Sequence, residues 1–93
     1  MRKRTNGERE TIRETIIASN GYTYKYTLSA SRDKPSIYSL KVVMRALSGD
    51  IRSSTATLAM SDGGRAIAFY NKLVKNLATP SNLQYCVEDE LCQ

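Results

Sequence analysis

Two thiols, a run of three acids and a glycine pair at a helix start are the groups in this chain whose types could support chemistry. Cys86 and Cys92 stand six positions apart. A thiolate can act as nucleophile or metal ligand, but that spacing is poor for a disulfide within one helix and fits no zinc pattern. They read as a semi-buried thiol at Cys86 and a frayed terminal one at Cys92. Glu88, Asp89 and Glu90 are consecutive. On a helix they point in different directions and make a poor cage for a divalent cation. Asp62-Gly63-Gly64-Arg65 opens a helix, where free N–H groups can hold an anion, yet the rest of a phosphate-loop motif is missing. A cap plus a flexible turn accounts for it. The chain has no histidine. That removes His-based metal sites, Ser-His and Cys-His pairs and the usual general base near neutral pH. The expectation is therefore no catalytic residue, no cofactor, no metal and no enzyme activity.

Binding chemistry is the remaining option. The formal net charge is +5, from 14 Lys and Arg against 9 Asp and Glu. A basic body attracts nucleic acid or acidic partners. Lys25, Lys41 and Arg45 fall on the same side of alternating strands as Thr23, Thr27, Ser53, Thr55 and Thr57. Cations and hydroxyls together suit phosphate. Single-strand platforms also want aromatic side chains for base stacking. Here Tyr22, Tyr24 and Tyr26 fall on the opposite side, where they read as core. Ile37 and Val43 share the cationic side, so it is not wholly polar and also suits a protein partner.

Those residues must be held by strands and helices, and the pattern names them. Glu10 to Ala18 is rich in Thr and Ile and suits a strand. Asn20-Gly21 then gives a hairpin signal, because both residues tolerate positive φ. Tyr22 to Ala30 alternates strictly, with Tyr22, Tyr24, Tyr26, Leu28 and Ala30 on one face. Ser31 to Pro35 is a polar turn. A third strand covers Ile37 to Leu47, with Tyr38, Leu40, Val42, Met44 and Ala46 toward the core. Ser48-Gly49-Asp50 is the next turn, and Ile51 to Met60 the fourth strand, with Ala56, Leu58 and Met60 inward. A helix starts near Asp62, capped by Ser61 or Asp62. Its apolar stripe is Ala66, Ile67, Tyr70, Leu73, Val74 and Leu77. Thr79-Pro80 stops it and starts another, with Thr79 as cap and Pro80 as first helical residue. Leu83, Val87 and Leu91 line that second helix.

The order ββββαα gives an α+β domain: an antiparallel four-stranded β-meander with one face covered by C-terminal helices. Ninety-three residues make one small domain. Residues 1–7 read as a disordered basic leader and 8–93 as the single domain. No apolar run approaches the roughly 20 residues that span a bilayer, and no signal-peptide core follows Arg2, Lys3 and Arg4. The expected location is the cytoplasm, with no membrane partner.

Mainly over residues 62–91, and in the run from Ala66 to Leu91, the sequence resembles the ending of a family of small, uncharacterised proteins from Firmicutes, mostly clostridial. The matching residues are Leu73, Asn76, Thr79, Pro80, Leu83, Val87, Glu88, Asp89 and Leu91. Tyr24 to Leu28 and Tyr38 to Val42 agree more loosely. The resemblance implies a meander followed by a helix, a Thr-Pro turn and an acidic end. It supplies no catalytic residues. The functional expectation is a small non-enzymatic bacterial protein-interaction module, paired with a protein partner or with itself as a homodimer. Its candidate surface is Lys25, Ile37, Lys41, Val43 and Arg45. The alternative is a nucleic-acid-binding accessory protein using the same cations.

Overall fold

The structure, a computed structural model, describes residues 9–31, 36–60 and 62–91. The expected leader 1–7, the polar turn at 32–35, the Ser61 cap and Cys92 lie outside those residues. Four antiparallel strands, β1 (Arg9–Ser19), β2 (Tyr22–Ser31), β3 (Ile37–Ala46) and β4 (Ile51–Ala59), form one sheet in the order β1-β2-β3-β4. Two helices follow, α1 (Gly63–Lys75) and α2 (Leu83–Leu91). This is the expected α+β meander.

Each short connection follows from local chemistry. Between β1 and β2, Asn20 and Gly21 take φ of 54° and 84°. Positive φ at both central residues matches the twist of the flanking strands. Ser19 therefore pairs with Tyr22, and the register runs back to Ile16 opposite Lys25. Between β3 and β4, the Ala46 carbonyl accepts from the Gly49 N–H and the Ala46 N–H donates to the Asp50 carbonyl. Gly49 has φ 100°, the left-handed position that ends a three-residue hairpin loop. Near the start of β1 the pairing shifts between Thr11 and Arg13. The extra residue, Ile12, packs against the core.

One face of the sheet supplies the core. Tyr24, Tyr26, Leu28, Tyr38, Leu40, Val42, Ala56 and Leu58 are buried in one cluster with Met60, Ala66, Phe69, Tyr70, Leu73, Ala78, Leu83 and Val87. Two tyrosines tie strands to helices by hydrogen bonds. The Tyr26 hydroxyl donates to the Ala78 carbonyl at 2.8 Å. The Tyr70 hydroxyl lies 2.6 Å from Thr15 Oγ1 and 3.3 Å from the Tyr26 carbonyl. Buried hydroxyls need such partners, because an unsatisfied one costs about 1–3 kcal/mol.

The helical segment differs from expectation in three places. First, α1 ends at Lys75, four residues before Thr79. Leu77 takes φ 54°, the Leu77 N–H donates to the Val74 carbonyl, and the Ala78 N–H donates to the Leu73 carbonyl. That pair of bonds is a left-handed helix stop; proline is not what ends α1. Second, α2 starts at Leu83, not at Pro80. Asn82 Oδ1 accepts from the Thr79 N–H, and the Asn82 carbonyl accepts from the Cys86 N–H. Asn82, whose short amide competes well for backbone partners, opens the helix, and Thr79-Pro80 forms the turn before it. Third, Phe69 is buried although the expected stripe omitted it. Leu77 is only partly buried, since it sits at the stop. The Asp62 cap is as expected: its Oδ1 accepts from the Gly64 N–H at 2.9 Å.

Candidate functional site

The register places each residue of the outward face. Across the sheet the rows read Ala18–Thr23–Arg45–Ile51, Ile16–Lys25–Val43–Ser53 and Glu14–Thr27–Lys41–Thr55. Opposed residues on one face have Cβ atoms about 4.5–5.5 Å apart, so each row is a line of touching side chains. Lys25, Lys41 and Arg45 are exposed, and Val43 and Ile37 are half-buried. Lys25 Nζ lies 3.3 Å from Glu14 Oε2, with both side chains about half exposed. An exposed pair of this kind contributes only about 0.2–1 kcal/mol. It holds the ammonium loosely and leaves it open to a competing anion.

Three of the five expected surface residues meet in one place. Lys25, Val43 and Arg45 line a shallow depression of about 180 Å³ with Ile16 and Thr23. Lys41 lies one row beyond it. Ile37 is opposite Ala59 at the far end of β3, roughly 20 Å from Val43 at the ordinary strand rise. The depression has an aliphatic floor, a hydroxyl and two cations. That composition can hold a carboxylate or phosphate beside an apolar group.

Sequence reading missed Glu14, Ile16 and Ile51 on this face. Ile16 is 64% exposed and Ile51 57%. A signal for all three was present: Ile51 keeps the two-residue period of Ser53, Thr55 and Thr57. A two-residue Asn-Gly loop forces Ser19 opposite Tyr22, and counting back puts Ile16 beside Lys25.

The tyrosine row divides. Tyr24 and Tyr26 are buried, with rings 6.3 Å apart and nearly parallel at 9°. Burial pushes the Tyr26 hydroxyl pKa up to about 12, with Tyr24 and Tyr70 adding to the rise. This phenol stays protonated and donates to Ala78. Tyr22 corrects the core expectation, because it is 39% exposed. It lines a second depression, of about 260 Å³, with Met44, Ala46, Asp50 and Arg52. Among the described residues, none from α1 or α2 lines that depression.

Of the thiols and the acid run, Cys86 and Asp89 line one cleft. Cys86 is half-buried in a cleft of about 130 Å³ with Lys72, Asn76, Asn82 and Asp89. Among the described residues, no group of three or more His, Cys, Asp or Glu is placed to hold a metal ion. No helix of the described residues is long and apolar enough to cross a membrane. No family model, curated protein or solved structure matches the chain.

Proposed function

We propose that this chain is a non-enzymatic protein-interaction module, in which the helices cover one sheet face and the other takes an acidic protein partner. The observation that carries this reading is the mixed outward surface. Among the described residues, Lys25, Lys41 and Arg45 stand on it against one acid, Glu14, with Ile16 and Val43 in the row of Lys25, Ile51 beside Arg45 and Ile37 at the far end of β3. Apolar side chains give a partner area to bury, while an excess of one charge selects an opposite one. The absence of histidine supports a role without catalysis. The resemblance to small clostridial proteins and a cytoplasmic location belong to the same reading.

The nucleic-acid reading keeps one observation in its favour: the three cations share their face with Thr23, Thr27, Ser53, Thr55 and Thr57. Against it, the tyrosines able to stack on bases lie on the other face. A direct contest separates the two. A peptide of alternating glutamate and leucine and a single-stranded oligonucleotide are titrated into the protein at low and high salt. The proposal expects the peptide to bind, with affinity lost in a Lys25→Ala/Lys41→Ala/Arg45→Ala variant. Tighter, strongly salt-dependent binding of the oligonucleotide would transfer the face to nucleic acid.

A further inference from the structure

Ile16 and Tyr85 are exposed on β1 and α2, but two other exposed apolar residues stand together beside a hollow. Tyr22 and Leu47 lie at the end of the sheet that carries the β3–β4 turn: Tyr22 pairs with Ala46 on the helix-side face, and Leu47 follows Ala46 into the turn, whereas Ile51, paired with Arg45, belongs to the outward face. Leu47 is 92% exposed at the tip of that turn. Beside it lies the 260 Å³ depression floored by Met44 and Ala46 and flanked by Tyr22, Asp50 and Arg52. Asp50 and Arg52 are both exposed, and neither is in an ion pair among the described residues.

We propose that this end of the sheet is where a second copy of the chain docks. The argument is self-complementarity. A two-fold interface uses the same patch on both copies, so the patch must carry both halves of every contact. This one does. It has a projecting apolar side chain, Leu47, and a hollow large enough to receive one. It also has one acid and one base two positions apart, so Arg52 of each copy can face Asp50 of the other. The outward face lacks this property, since pairing it with itself would bring three cations against three. The two surfaces therefore take different occupants. The patch is small beside the roughly 800 Å² that each partner gives to a standard interface, so the dimer is weak and forms at high concentration.

Sedimentation equilibrium of the full chain across a wide concentration range tests the inference. The expected result is a mass rising from monomer toward dimer. Leu47→Asp, at a site too exposed to disturb folding, abolishes the rise. Asp50→Arg and Arg52→Asp each weaken the dimer about tenfold or more, and the double reversal restores it to within a few-fold. Lys25→Ala/Lys41→Ala leaves the dimer unchanged, so loss of dimerisation and loss of acidic-peptide binding are separate failures. A wild type that stays monomeric throughout overturns the inference. So does a dimer that ignores all three single variants.

Discussion

Neighbouring residues of the same strands meet two different environments. On one face Tyr26 is paired with Val42 and Leu28 with Leu40, and all four are buried among helix residues. On the other, Lys25 is paired with Val43 and Thr27 with Lys41, and the two lysines are exposed. The backbone ladder is common to both, so the difference lies in the side chains alone. One face spends its residues on burial, at about 25 cal/mol per Å² of apolar surface. The other leaves aliphatic and cationic groups accessible, which contributes little to folding and leaves them open to the partner proposed above.

The largest effects that probe this contrast come from adjacent positions on β4. Leu58 is fully buried, and Thr57 beside it is exposed on the opposite face. Leu58→Ala should cost about 2–5 kcal/mol, and Thr57→Ala within roughly 0.5 kcal/mol of nothing, both read by urea unfolding. Comparable losses at the two sites would break the division between faces.

Next in size is the Tyr26 hydroxyl. Its pKa in the folded chain, about 12, exceeds the ordinary 10.0. The folded state therefore holds the proton more tightly than the unfolded chain does. The corresponding stability, about 2–3 kcal/mol, is fully present below pH 10 and is lost as pH climbs through 12. Alkaline unfolding followed by circular dichroism should show that loss. Tyr26→Phe should remove its steep part and cost about 1–2 kcal/mol at neutral pH, because the Ala78 carbonyl loses its donor.

A smaller effect sits where α1 begins. A Cβ at Gly63 would come 2.9 Å from the Tyr38 hydroxyl oxygen. Gly63→Ala should cost about 1 kcal/mol by thermal melting, and much of that should return in Gly63→Ala/Tyr38→Phe. The smallest stability change is expected for Glu14→Gln, which releases Lys25 from its surface pair. Its value is in binding: an unpaired Lys25 should bind the acidic peptide a few-fold more tightly.

The strands were legible because period two and two turn signals act locally. Strict alternation from Tyr22 to Ala30 assigned faces without any tertiary information, and Asn20-Gly21 and Gly49 marked the reversals that the chain adopts. The helix ends were not legible. Leu77 occupies a left-handed position usually given to glycine, so nothing in its type announced the stop. Thr79 is a competent cap by type, but the Asn82 amide reaches back to the Thr79 N–H and holds residues 79–82 as a turn before Leu83. Lys25, Ile37, Lys41, Val43 and Arg45 were legible on one face for the same reason as the strands. Ile51 follows from the same two-residue period as Ser53, Thr55 and Thr57, whereas Ile16 enters through pairing with Lys25, a register that the Asn20-Gly21 turn sets.

The central claim is that recognition belongs to the outward face, and methyl chemical shifts read it most directly. Isoleucine, leucine and valine methyls are labelled, and the glutamate–leucine peptide is titrated at low salt. The account predicts movement of the Ile16, Val43 and Ile51 methyls, while those of Leu28, Leu40 and Leu58 stay still. It predicts no movement in the Lys25→Ala/Lys41→Ala/Arg45→Ala variant. Movement confined to methyls of α1 or α2, or equal movement in that variant, would contradict it.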